Sequence, residues 1–302
     1  MTDCKNKGVR ALGLCSGGLD SILAGLVLRQ QGIAVEWVTF ETPFFSAGKA
    51  REAARITGIP LRVERITEIY LPMLRNPAIG YGKNMNPCMD CHTLMFRLAG
   101  ERMRSEGIDF LFSGEVLGQR PMSQSKTSLR YVEKHSGFEG YILRPLSAKR
   151  LPVTIPEASG LVDRERLLDL SGRSRKPQIA LARAFGVTEY PAPAGGCLLT
   201  DPGFDARLRD RMAERDDFDS NDINLLKWGR HIRVAKGARA VIGRTHEDNL
   251  AILSLARPGD AILTTADATL RMKDLGVTAS VQPQFIRLAG DYYHGLFGED
   301  LV

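Results

Sequence analysis

Apolar and polar positions alternate in two rhythms over the first half of the chain. Val9 to Cys15 is a short apolar run ending at a glycine pair, and Ile22 to Gln31 carries apolar residues around most of a helical surface before Gly32. Val35 to Phe40 has strand character, Ala47 to Thr57 is helical and closes at Gly58, and Leu61 to Ile66 is a further strand. Cys91 to Arg104 reads as a helix ending near Gly107, and Phe110 to Ser113 as a buried strand opening at Gly114. Such strand–helix alternation predicts an α/β fold, a doubly wound parallel sheet with ligands at the carboxyl ends of its strands. Tyr141 to Pro145 adds a strand, and Asp163 to Phe185 a basic, helical region. Tyr190 to Cys197 holds too many helix breakers to be anything but a loop. Composition changes again near Asp201, where a charged helix (Asp205 to Arg215) and short strands begin. The expected division is 1–202 and 203–302, the second a smaller α+β domain.

With 302 residues, 43% hydrophobic and 25% charged, the chain has ordinary globular composition and room for two domains. No stretch resembles a signal peptide or approaches a membrane span, so a cytoplasmic, membrane-free location is expected. A formal charge of +6 suits an acidic partner such as RNA without demanding one. Five cysteines in a reducing compartment argue against a disulfide framework and direct attention to chemistry or metal binding.

The chemistry starts at Ser16-Gly17-Gly18-Leu19-Asp20-Ser21, between an expected strand and an expected helix. Glycines there let backbone N–H groups surround phosphate oxygens, and the helix N-terminus adds attraction for the same anion. Ser16 and Ser21 can donate to phosphate and Asp20 can help hold Mg²⁺. The Walker lysine is missing, which points away from γ-phosphate transfer and toward cleavage between the α and β phosphates. The hexamer resembles the S-G-G-x-D-S signature of the PP-loop ATP pyrophosphatases at every fixed position. Ser113-Gly114-Glu115-Val116-Leu117-Gly118-Gln119 is similar to the nucleotide-side loop of the tRNA 4-thiouridine synthases. Over about residues 8–200 the resemblance implies an adenine-nucleotide α-hydrolase-like fold, with Gly114 and Gln119 beside the ATP. It also implies a reaction in which ATP adenylates a uridine carbonyl oxygen and sulfur displaces AMP. Positioning both reactants in line is the enzyme's main task.

Cys88-Met89-Asp90-Cys91-His92 opens a helix, where N–H groups favour thiolates, and Cys197 follows Gly195-Gly196 in the distant loop. This triad resembles the iron–sulfur tRNA thiolases, whose three cysteines hold a [4Fe–4S] cluster with one open iron. A zinc site completed by His92, a persulfide carrier with a resolving thiol, and inert cysteines stay open as alternatives. Cys15 reads as a buried strand residue, Cys4 as a bystander and His92 as a solvated or capping side chain.

Arg173, Arg175 and Lys176 form one basic cluster. Lys227, Arg230, Arg233 and Lys236 begin a longer one that continues through Arg239 and Arg244 with no acid between Asn224 and Thr245. Both are expected to meet RNA phosphates. The last hundred residues loosely resemble the RNA-binding domain of the NFACT proteins, on the Gly243-Arg244 to Asn249 pattern. The chain departs from the 4-thiouridine synthase pattern in lacking an upstream RNA-binding module and a rhodanese-like module. That favours a cluster or an external sulfur donor. The expectation is an ATP-dependent tRNA sulfurtransferase, with a homodimer left open. An amide-forming PP-loop ligase for a small molecule and a non-catalytic, nucleotide-dependent RNA-binding protein are the rival readings.

Overall fold

A computed structural model describes residues 8–190, 197–214, 217–235, 238–258, 260–264 and 285–289. It separates into two compact units, 1–198 and 199–302.

The first unit alternates β1 (Arg10–Leu14), α1 (Leu19–Arg29), β2 (Ala34–Glu41), α2 (Gly48–Thr57), β3 (Leu61–Arg65), α3 (Thr67–Arg75), α4 (Cys88–Glu106), β4 (Phe110–Ser113), α5 (Lys126–His135), β5 (Ile142–Leu143), α6 (Ile155–Ala158) and α7 (Lys176–Ala184). All five strands run parallel in the order β3-β2-β1-β4-β5. Strand order therefore reverses between β1 and β4. Crossovers of the usual right hand leave such a sheet by opposite faces where the order reverses, which places a ligand crevice at the strands' carboxyl ends. Leu12, Phe110 and Leu111 are fully buried, as expected of strands covered on both faces.

Most expected elements of this unit are present, with shifted ends. α4 starts at Cys88 rather than Cys91, because Pro87 takes the N-cap position and its carbonyl accepts from Cys91 N at 2.8 Å. Gly58 and Gly107 close α2 and α4 in the left-handed conformation (φ +65° and +64°). The basic stretch 163–185 is not one helix. Ser171-Gly172 pairs with the loop after β4 through a parallel bridge from Leu117 to Ser171, and the helix begins only at Lys176 with Pro177 in its first turn. Helix α3 forms around Pro72 because burial of Tyr70, Leu71 and Leu74 outweighs the proline.

The second unit contains α8 (Pro202–Glu214), α9 (Ser220–Leu225), β6 (Arg230–Ala235), β7 (Ala238–Ile242), α10 (His246–Ser254), β8 (Ala261–Thr264) and β9 (Phe285–Ala289). Its sheet has the order β6-β7-β9-β8, with β6 antiparallel to β7 and the other pairs parallel. Leu225, Val241 and Ile252 form its small apolar cluster.

Candidate nucleotide and sulfur site

β1 delivers the chain to Ser16 at the switch point, and the hexamer folds into a turn before α1. Ser16 Oγ lies 3.0 Å from Ser21 Oγ, and Gly18 N points at Ser16 Oγ at 3.4 Å. Gly18 is the N-cap of α1 and supplies no side-chain cap, so first-turn N–H groups are left for a ligand. Gly17 has φ +73°, and a Cβ there would sit 2.1 Å from the Lys49 carbonyl carbon. Only glycine fits this close approach to the start of α2.

The loop after β4 reaches the same place. A Cβ on Gly114 would lie 2.4 Å from the Asp20 carbonyl carbon. Gln119 Nε2 donates to Asp20 Oδ2 at 2.7 Å, and Gln178 Nε2 donates to Gln119 Oε1 at 3.0 Å. The structure thus brings Ser16, Gly17, Gly18, Asp20, Ser21, Gly114 and Gln119 together. Burial pushes the Asp20 carboxyl above its ordinary value, while Gln119, Arg175, Arg120 and Gln178 pull less strongly the other way. Its other oxygen, Oδ1, is buried with no hydrogen-bond partner, the arrangement that suits a Mg²⁺ ligand.

A buried network that the sequence did not disclose links this loop to the cysteine helix. Glu115 Oε2 accepts from Arg144 Nε and from Ser113 Oγ, each at 3.0 Å, and Glu115 Oε1 lies 3.1 Å from His92 Nδ1. Arg144 Nη1 also reaches Glu133 at 3.1 Å. Burial would raise the Glu115 carboxyl, but the Arg144 guanidinium, with help from His92, holds it down at about 2. His92 is therefore an internal partner of an ionised carboxylate rather than a solvated side chain. An ionised Glu115 accepts from Nδ1–H, so in the neutral imidazole the lone pair would sit on Nε2. Glu115 and His92 each lay inside a motif, but nothing local signalled their pairing, and no local signal marked Arg144.

Cys88, Cys91 and Cys197 are of intermediate exposure. Asn86 Nδ2 donates to Cys88 Sγ at 3.2 Å. All three cysteines interact electrostatically with the buried Tyr70, which hydrogen-bonds Cys91. Burial raises the Cys91 thiol, and neighbouring Cys197 and Cys88 raise it further against the pull of Tyr70. Phe44 and Phe45 stand against the Tyr70 ring with centroids 5.6 Å away. Among the described residues, no group of three or more His, Cys, Asp or Glu side chains is arranged to hold a single metal ion. Cys15 is buried and pushed up to about 12, mainly by that burial, which fits its reading as a strand residue. Cys4, Gly195 and Gly196 lie outside the described residues.

The expected RNA-contacting cations are distributed unevenly. Arg173 and Lys176 are exposed, whereas Arg175 is half-buried beside the nucleotide loops. In the second unit Arg230 is exposed on β6, Lys227 Nζ donates to Asn224 Oδ1 at 2.7 Å, and Arg233 is paired with Asp210. Arg239, in the same run, is buried against Glu214 and Asp210, and Arg244 pairs with Asp248. Acids from α8 and α10 thus cancel much of a stretch that looks uniformly basic in sequence. Lys236 lies outside the described residues.

A parallel sheet with a lysine-free glycine loop at its switch point, faced by a second loop carrying Gly114 and Gln119, has the geometry expected of a PP-loop nucleotide-binding domain. Residues 7–150 match the family model described as Thiamine biosynthesis protein (ThiI). The chain is 26% identical over 216 residues to a tRNA-specific 2-thiouridylase MnmA 1 from Syntrophus aciditrophicus, covering 65% of this chain and 54% of that protein. It is 30% identical over 150 residues to a probable tRNA sulfurtransferase from Acholeplasma laidlawii, covering 46% of this chain and 34% of that one. A solved structure described as a 4-thiouridine synthetase–RNA complex with bound ATP aligns with TM-score 0.40 and 19% identity, over 72% of this chain and 52% of that chain. Within residues 7–150 the first unit is thus similar to this family model, and over longer or comparable stretches to tRNA-thiolating relatives. The chain spans about half or less of the length of the curated relatives it matches.

Proposed function

We propose that the protein is an ATP-dependent tRNA sulfurtransferase. The observation that carries this reading is the junction of the two loops at the sheet's switch point, where Asp20 Oδ1 is buried and unpartnered beside free helix N–H groups. Amides of residues 16–21 would hold the β and γ phosphates as the leaving diphosphate, and Asp20 would hold Mg²⁺ against them. A nucleobase carbonyl oxygen attacks the α-phosphorus and the P–O bond to pyrophosphate breaks. Sulfur then adds to the activated carbon, and AMP departs with the former carbonyl oxygen. The adenylate matters because a bare carbonyl oxygen is a poor leaving group. Uridine is the base we favour.

Cys88, Cys91 and Cys197, drawn together around Tyr70, are the sulfur-handling residues in this proposal. An all-cysteine donor set suits a [4Fe–4S] cluster, which would supply an iron site able to carry sulfide. His92 meets Glu115 through Nδ1, so a zinc site completed by its Nε2 stands as the alternative to the cluster. The chain's own residues otherwise orient the site: Asn86 and Tyr70 direct hydrogen bonds at sulfur, and Gln119 fixes Asp20. An external donor provides sulfur. RNA would bind through exposed cations including Arg173, Lys176 and Arg230 and an NFACT-like second unit, in a cytoplasmic enzyme. Among the described residues, no helix is long and apolar enough to cross a membrane.

Incubation with ATP, Mg²⁺, tRNA and sulfide, followed by nucleoside mass spectrometry, tests the reading. Thiolated uridine from the wild type, and none from Cys197→Ala with ATP binding intact, is the expected pattern. Amide formation on a small molecule without any thionucleoside would replace this reading with the ligase. Iron and sulfide analysis after anaerobic purification tests the cluster; iron-free, active protein would favour a persulfide carrier.

A further inference from the structure

Basic residues between 171 and 178 read in sequence as an RNA-contacting cluster, but the fold builds this segment into the wall of the nucleotide crevice. Gly172 N donates to Leu117 O at 2.7 Å, next to the bridge from Leu117 to Ser171. Three residues into α7, the buried Gln178 holds Gln119, which holds Asp20. Arg175 lies between these two anchors, at the N-cap of α7. Its Nε is buried without a hydrogen-bond partner, and among the described residues it forms no ion pair. A desolvated guanidinium donor without an acceptor is costly, and a phosphate, two of whose tetrahedrally placed oxygens can accept from the planar guanidinium fork, is the acceptor that fits it best.

We propose that Arg175 binds the phosphates of the nucleotide held at residues 16–21, so that it serves ATP rather than RNA. This rests on the ATP-binding reading above. Asp20 is the acid whose charge responds to Arg175, together with Arg120. One carboxylate beside two cations leaves the crevice electropositive, as a triphosphate with a single Mg²⁺ requires. Arg175 sits at the start of α7, whereas the amides belong to the loop that leads into α1. Departing pyrophosphate would thus meet a fixed cation that the glycine loop, lacking the Walker lysine, does not itself supply. Arg173 and Lys176, on either side, face solvent and are available to a second anion.

The test measures MgATP affinity and, separately, tRNA affinity across a salt series, in the wild-type chain and in Arg175→Ala and Arg175→Lys. Loss of a charged phosphate contact is expected to weaken MgATP binding by about 10- to 100-fold in Arg175→Ala, with partial recovery in Arg175→Lys. Adenosine binding should change less than about threefold, and tRNA affinity and its salt slope should hold. Urea midpoints for the variants distinguish a lost contact from a misfolded loop. A tRNA affinity that falls, with a salt slope reduced by about one while MgATP binding is unaltered, would assign Arg175 to RNA and overturn the proposal. Wild-type protein that fails to bind MgATP would remove the ATP reading itself, a different result from selective indifference at Arg175.

Discussion

The two glycines of the phosphate loop look equivalent in sequence, yet their surroundings predict opposite responses to alanine. At Gly17 the new Cβ meets the Lys49 carbonyl carbon at 2.1 Å, its oxygen at 2.3 Å and Ala50 N at 2.4 Å, all backbone atoms. Relieving that overlap moves the loop and the start of α2 apart by roughly 1 Å, at the cost of overpacking, about 1–3 kcal/mol. The positive φ adds roughly 1–2 kcal/mol, for a total of about 2–5 kcal/mol. At Gly18 φ is −79° and the nearest atom is Ser16 Oγ at 3.5 Å, an ordinary contact. Gly18→Ala should change stability by less than about 0.5 kcal/mol. Urea unfolding reports this cleanly in a Trp228→Phe background, where Trp37, fully buried in β2, is the remaining tryptophan of the two. With a slope of about 2–3 kcal/mol per molar, Gly17→Ala should lower the midpoint by about 1 M or more while Gly18→Ala leaves it in place. Equal midpoints for the two variants would refute the packing argument.

Other consequences follow from the same geometry. Glu115→Gln leaves Arg144 buried with Glu133 as its remaining carboxylate and should cost about 3 kcal/mol at pH 7. Because the folded Glu115 value is depressed to about 2, its stabilisation is present above the ordinary carboxylate range and is lost as pH falls toward 2. The gap between wild type and Glu115→Gln should therefore narrow in acid unfolding scans, and a constant gap would contradict the assignment. For Asp20 the sign reverses. Its raised value means the ligand-free fold is penalised as pH rises through that value, so Asp20→Asn should stabilise the apoprotein at neutral pH while abolishing pyrophosphate exchange. Thermal melts with and without MgATP check this, and a destabilised Asp20→Asn apoprotein would count against it. Cys15→Ala should keep thiolation within about threefold of wild type, since a buried thiol pushed up to about 12 is a poor nucleophile; loss of tRNA thiolation would reopen its role. Arg239→Ala should unfold the second unit more readily rather than weaken RNA contacts selectively, because Arg239 is buried between Glu214 and Asp210; circular dichroism melts alongside RNA binding separate the two effects.

What was legible in the sequence was local. The hexamer 16–21 and the stretch 113–119 carried their chemistry in adjacent residues, and alternating strands and helices with left-handed glycine closures at Gly58 and Gly107 marked the sheet. Contacts made across the fold were not legible. Nothing near Tyr70 signals that it will stand against three cysteines, and the proline two residues later argues against the helix that carries it. Arg175 was grouped with Arg173 and Lys176 because composition records charge, whereas its role depends on the Leu117–Ser171 bridge and the Gln178–Gln119–Asp20 relay. Similarly, the basic run from Lys227 to Arg244 lost much of its apparent charge to Asp210, Glu214 and Asp248, which lie on other elements.

In the proposed reaction the switch-point crevice cleaves ATP between its α and β phosphates to activate a base in tRNA. Product analysis with α- and γ-labelled ATP, Mg²⁺ and tRNA tests it most directly. AMP and pyrophosphate are expected in equal amounts, dependent on tRNA and lost in Asp20→Asn. Release of ADP and inorganic phosphate, or no turnover with any RNA, would contradict it.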